Sequence, residues 1–304
     1  MELVKNTRID FMSLKKYAFA VSAALTLLGL FGTVQVYRGQ ANLGIDLAGG
    51  TSMQLKFRKP IAMDEVRGIL AKAGHKEATL QGVPGENILL IKLRAGANSE
   101  EKMVADPIVN LLKSSFPSNP FVVESVSEIG PAIGHKLRQD AALALAVSAL
   151  AIIVYLAWRF EFKFGVAAAI ATFHDIFAMV GIFYIFGIEK DLLFITALLT
   201  IGGYSLTDTV VVFDRIRENV RLRKKGTFSE TINLSVNEVL SRTIVTSLTV
   251  FIATVSLLVF GGIVLHNFAL ALAIGILIGT YSSIFVASPV VALWRGEKMT
   301  EVKR

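Results

Sequence analysis

Four ionisable residues stand inside long apolar stretches: His174 with Asp175, Asp208 and Arg242. Charges in such surroundings are costly, and they usually face a protein interior or a wet cavity. Asp208 has Tyr204 and Ser205 one helical turn back and Thr207 and Thr209 beside it. A carboxylate among hydroxyls can carry or release a proton, depending on solvation and nearby cations. That chemistry suits a proton relay. It also suits a structural pair or a neutral, hydrogen-bonded acid. Arg242, at the mouth of its apolar stretch, can join such a relay or simply extend to lipid headgroups.

The elements that must position these residues are membrane spans. Of the 304 residues, 53% are hydrophobic and only 18% charged, against about 25% charged in soluble domains. Six apolar stretches are long enough to cross about 30 Å of hydrocarbon: 17–37, 141–158, 164–186, 192–213, 243–260 and 268–294. The first exceeds the core of a signal peptide and is read as a retained anchor. Arg and Lys cluster at 5–16, 159–163, 215–225, 242 and 295–304, while the short segments on the opposite side hold only Lys190. This bias places both termini in the cytoplasm. The net charge of +7 is thus a topology signal rather than a nucleic-acid footprint. Asp214, Arg215, Arg217 and Glu218 read as a solvated cluster at the cytoplasmic end of span four. Phe228, Ile232, Val236, Val239 and Leu240 fall on one face, predicting an amphipathic helix along the cytoplasmic membrane surface.

Span six carries Ala271, Gly275, Gly279, Ser283 and Ala287, small residues every fourth position. Such stripes let helices approach closely, either within this chain or against a partner. Gly202 and Gly203 permit close approach just before Asp208.

One long segment, 38–138, separates spans one and two and faces outward. Thr51–Arg58 alternates as a strand and Ile61–Ala73 has a helical apolar face. Glu77–Val83 and Glu86–Leu93 are strands joined at Pro84-Gly85. A helix over Ser99–Ser115, capped by Ser99, and a strand over Phe121–Ile129 complete a βαββαβ order, the ferredoxin-like arrangement. Gly49-Gly50-Thr51 lacks the phosphate-loop pattern and reads as a bend into the sheet. His75 and His135 are isolated. There is no cysteine, no HExxH and no intramembrane-protease aspartate pair, so no metal, cofactor or catalytic residue is expected. The domains expected are therefore a cytoplasmic N-terminus (1–16), span one (17–37), an outer ferredoxin-like domain (38–138), a bundle of spans two to six (139–294) with a cytoplasmic linker (214–241), and a tail (295–304).

One span, a ferredoxin-like domain and five further spans resemble half of an RND-superfamily transporter. More closely, the chain resembles the SecD/SecF family of bacterial protein-export membrane proteins, in its shorter, SecF form. The matching residues are Gly44–Gly50 (GIDLAGG), Gly130–Gly134 (GPAIG), His174-Asp175, Gly203–Asn219 (GYSLTDTVVVFDRIREN), Leu240–Thr249 (LSRTIVTSLT) and Phe268–Pro289. Thr207 and Val245 stand where the family often has Asn, and GIDLAGG leans toward the SecD form. The resemblance implies pairing with SecD, association with the SecYEG channel and often with YajC and YidC, and use of the proton-motive force in preprotein export across the bacterial inner membrane. It implies proton-pathway roles for Asp208 and Arg242. The rival readings are an RND-type exporter of small molecules and a non-transport assembly scaffold.

Overall fold

The computed structural model describes residues 7–83, 86–94, 105–222 and 226–296. The Pro84-Gly85 turn, the Ser99 cap and the end of the tail lie outside the described residues. The elements run α1 (Lys15–Tyr37), α2 (Ile45–Ala48), β1 (Gly50–Phe57), α3 (Met63–Lys72), β2 (Thr79–Val83), β3 (Ile88–Arg94), α4 (Ala105–Ser115), β4 (Phe121–Ile129), α5 (Pro131–Arg159), α6 (Phe162–Ile185), α7 (Leu192–Leu222), α8 (Phe228–Phe260), α9 (Gly262–Ser282), a π-helical turn (Ser283–Ala287) and α10 (Ser288–Arg295). They fall into two compact units, one built on Leu43–Leu143 with Lys190–Leu192 and one made of the other helices.

The α+β unit is a four-stranded antiparallel sheet among the described residues, ordered β2-β3-β1-β4. Alternation puts Met53, Leu55 and Phe57 of β1 and Leu89, Ile91 and Leu93 of β3 on one face, and the helical period brings Val66 and Leu70 of α3 and Ile108 and Leu112 of α4 onto it. All are buried, and each such side chain stabilises the fold by about 1.5–3 kcal/mol. This is the ferredoxin-like arrangement expected from the sequence.

Two motifs of this unit meet backbone to backbone. Gly49 turns the chain from α2 into β1 with φ of 81°, a conformation open to glycine. A Cβ on Gly134, in the first turn of α5, would stand 2.7 Å from the Gly49 nitrogen. A Cβ on Gly50 would collide with the Leu93 carbonyl. The glycines of GIDLAGG and GPAIG are therefore one packing device.

Six helices among the described residues are long and apolar enough to cross a membrane, the sixth running from Gly262 to Arg295 through the π-helical turn. Several outgrow the expected spans. The segment predicted as a separate surface helix is instead continuous with span five, as the 33-residue α8. Thr227 and Glu230 form a capping box at its start, and no Gly or Pro interrupts it before Gly261. Phe228, Ile232, Val236 and Leu240 are buried in the bundle core with Phe164, Phe213 and Ile216, so this face packs on protein rather than on a lipid surface.

Residues 9–13 are held along α8. Asn237 accepts from the Ile9 N–H (3.0 Å) and donates to the Ile9 carbonyl (2.8 Å). One turn earlier, Asn233 accepts from the Met12 N–H (3.0 Å) and donates to Asp10 (2.7 Å). Phe11 and Met12 of this strap are buried.

Candidate functional site

The polar centre of the bundle is built from α6, α7, α8 and α9. Asp175 is 0% exposed and His174 4%. Asp175 Oδ1 lies 2.9 Å from His174 Nδ1. Its Oδ2 accepts from Ser282 Oγ of α9 at 2.8 Å and from Ser205 Oγ of α7. A buried carboxylate needs such donors to offset its lost hydration. His174 Nε2 is buried and has no hydrogen-bond partner among the described residues.

Asp208, one turn beyond Ser205 on α7, is 7% exposed. Its carboxylate accepts from Ser247 Oγ of α8 at 3.4 Å. Thr280 Oγ1 of α9 donates to Ser247 Oγ at 2.7 Å and lies 2.8 Å from the Ile276 carbonyl. The two carboxylates thus reach α9 at Ser282 and, through Ser247, at Thr280. Protonation of Asp208 would turn an acceptor into a donor and reverse the Ser247–Thr280 hydroxyls.

The structure does not bring Arg242 to Asp208. Arg242 is exposed on α8 and makes no ion pair among the described residues. Gly203 faces open space, and a Cβ on Gly202 would meet only ordinary contacts, Thr172 Cγ2 at 3.8 Å and Ile152 Cδ1 at 3.9 Å. Neither glycine supports a close helix approach within the chain. The stripe on span six does: a Cβ on Gly279 would stand 3.0 Å from Ser205 Cβ, and one on Gly275 would press into Ile201. Both glycines face α7 of the same chain.

A four-residue repeat advances about 40° per step on an ideal α-helix, so the stripe cannot stay on one straight face. Ala271 belongs to one core cluster and Ala287 to another. The wider π-helical turn at Ser283–Ala287 counters the drift and keeps Ser283 and Ala287 fully buried. Pro289 follows it, lacking the N–H an α-helix would use at that point, and Ser288 Oγ donates to the Ser283 carbonyl at 3.0 Å.

Sequence reasoning missed Ser205 and Ser282 as partners of Asp175, Ser247 as the partner of Asp208, and Thr280 behind Ser247. It also missed the packing of α1 on α6. A Cβ on Gly29 would collide with the Phe177 carbonyl, and one on Gly181 would lie 2.8 Å from the Gly29 nitrogen. The signal was present, since Gly29 and Gly32 stand three apart among the bulky residues of the second half of span one.

Residues 110–297 match the family described as protein export membrane protein SecD/SecF, C-terminal, and residues 41–61 match the SecD/SecF GG motif. The chain belongs to the SecD/SecF family. It is 51% identical to the protein translocase subunit SecF of Thermodesulfovibrio yellowstonii over 96% of this chain and 97% of that protein. It is 39% identical to the SecF of Rickettsia rickettsii, over 96% and 94%. Among solved structures it resembles SecDF, a translocon-associated membrane protein from Thermus thermophilus, with a TM-score of 0.80 and 38% identity. That likeness covers 97% of this chain but 40% of the SecDF chain. The SecD/SecF membrane fold is therefore the fold of this chain, and neither a small-molecule exporter nor a scaffold is favoured. The GG motif of the family coincides with the Gly49–Gly50 bend.

Proposed function

We propose that this chain works as a SecF-type protein translocase subunit that pairs with SecD and couples proton movement to protein export. The near full-length likeness to SecF proteins supports the transport role, and the SecDF likeness supports pairing with a SecD portion. SecYEG, YajC and YidC are the further partners proposed, with an unfolded preprotein as cargo. The arginine and lysine bias supports cytoplasmic termini and an α+β domain on the outer side of the bacterial inner membrane.

The observation that carries the proton step is Asp208, a buried carboxylate whose one hydrogen bond among the described residues is a long one to a reorientable hydroxyl. Losing or gaining a proton there changes which group donates across the α7–α8–α9 contact. One charge crossing 100 mV supplies about 2.3 kcal/mol, enough to bias a helix-packing equilibrium. His174 and Asp175 anchor the neighbouring layer, and Arg242, exposed on α8, would join the path only in the assembled complex. The test is precursor accumulation in cells whose only SecF is Asp208→Asn, at matched protein levels. Loss of the proton-motive-force-dependent part of export is expected. Full export by that variant would remove Asp208 from the pathway. Full export by Arg242→Ala would remove Arg242 alone.

A further inference from the structure

At one end of the bundle, α5 and α7 enclose a groove of about 510 Å³ lined by Arg159, Asp214, Arg217, Glu218, Arg221 and Leu222. Its charges are only partly satisfied. Arg159 holds Asp214 at 2.6 Å, and Arg217 reaches the other oxygen of the same carboxylate at 3.5 Å. Two guanidinium groups thus share one carboxylate. Glu218 is drawn away by Arg215 at 2.6 Å. Arg221 is exposed and has no ion pair among the described residues. Arg217 Nε is buried and lacks a hydrogen-bond partner among the described residues. Arg159 and Arg217 both stand over the Phe160 ring, at 5.0 and 5.6 Å, which fixes their planes beside the groove. The groove is preorganised for an anion with several acceptor oxygens.

The surroundings say which anion. Trp158 (82% exposed) precedes Arg159 on α5, and Trp294, near the end of α10, packs edge-on against Phe162. Exposed Trp residues at one level of a bundle mark the headgroup region of a bilayer. Trp158 and Phe162 (74% exposed) leave apolar surface uncovered on either side of Arg159. A free phosphate has no use for that exposed aromatic surface, whereas a phospholipid does.

We propose that this groove is a binding site for the headgroup of an anionic phospholipid, with Arg217 and Arg221 receiving the phosphate and Trp158 flanking the acyl chains. The site needs the chain to be membrane-embedded, but it does not depend on proton coupling at Asp208.

The test is thermal stabilisation of the full chain in neutral detergent by dioleoylphosphatidylglycerol, dioleoylphosphatidylcholine or inorganic phosphate. Stabilisation by the phosphatidylglycerol alone is expected. Arg221→Gln and the double variant Arg217→Gln/Arg221→Gln should weaken its apparent affinity by about fivefold for each arginine removed. Arg67→Gln, in the α+β unit, and Asp208→Asn should leave it unchanged. The single Arg221 variant removes no internal pair, so its folding is spared and its result decides if the double variant is unstable. Equal stabilisation by inorganic phosphate would make this a simple anion site and overturn the lipid assignment. An undiminished phosphatidylglycerol effect in Arg221→Gln would overturn the site.

Discussion

Asp175 and Asp208 are both acids in the middle of a helical bundle, yet they are held differently. Asp175 is enclosed by a histidine and two serines from three helices. Asp208 has one hydroxyl contact, at 3.4 Å, near the outer limit of a useful hydrogen bond. A carboxylate with a full set of donors is part of the framework, and changing it leaves those donors unsatisfied. A carboxylate with one weak donor can change state without dismantling its surroundings. The contrast separates an acid that holds helices together from one free to respond.

The largest effect should come from breaking the saturated site. Asp175→Ala strips His174, Ser205 and Ser282 of their shared acceptor and should cost about 3–5 kcal/mol, read as a lowered melting temperature and poor yield in detergent. If that variant melts like the wild type, the contrast between the two acids fails. Asp208→Asn should cost less than about 1 kcal/mol while abolishing proton-driven export. Unfolding of that variant would place Asp208 in the framework as well. Ser247→Ala should be comparably mild for stability, about 1 kcal/mol or less, because Thr280 keeps the Ile276 carbonyl as its acceptor. Equal melting temperatures for the Ser247→Ala single variant and a Ser247→Ala/Asp208→Asn double variant would sharpen the view that this contact adds little to the fold.

A buried charge of opposite sign extends the comparison beyond the spans. Lys190 is 3% exposed, and burial pulls its ammonium down from 10.5 to about 8. Between those values the unfolded chain binds the proton more tightly than the folded one. Stability should therefore rise as pH climbs from about 8 toward 10.5. Lys190→Met should flatten that rise in thermal melts of the purified chain.

Hydropathy and charge bias made the six spans legible, and alternation made the order of the ferredoxin-like unit legible. Both signals are local. The partners of Asp175 were not legible in that way. Ser205 lies 30 residues away and Ser282 lies 107 away, and serine within a span is too common to single out. The continuity of α8 was hidden because its first turns are amphipathic and its turns after Arg242 carry no charge. Two hydrophobic patterns looked like two helices, although no breaker separates them. The π-helical turn had one local cue, Pro289 inside an apolar run, and a packing cause that only tertiary structure displays. Gly203 shows where a local signal stops: it faces open space, so no described helix of this chain uses it for close approach.

The single helix α8 has a mechanical consequence. It is about 50 Å long at 1.5 Å per residue. It grips the N-terminal strap at Asn233 and Asn237 and touches Asp208 at Ser247, about 15 Å farther along the same rod. With no kink between these points, a twist of the rod at Ser247 is also a twist at the two asparagines. A turn of that rod set off at Asp208 would therefore be felt in the hydrogen bonds of the N-terminal strap.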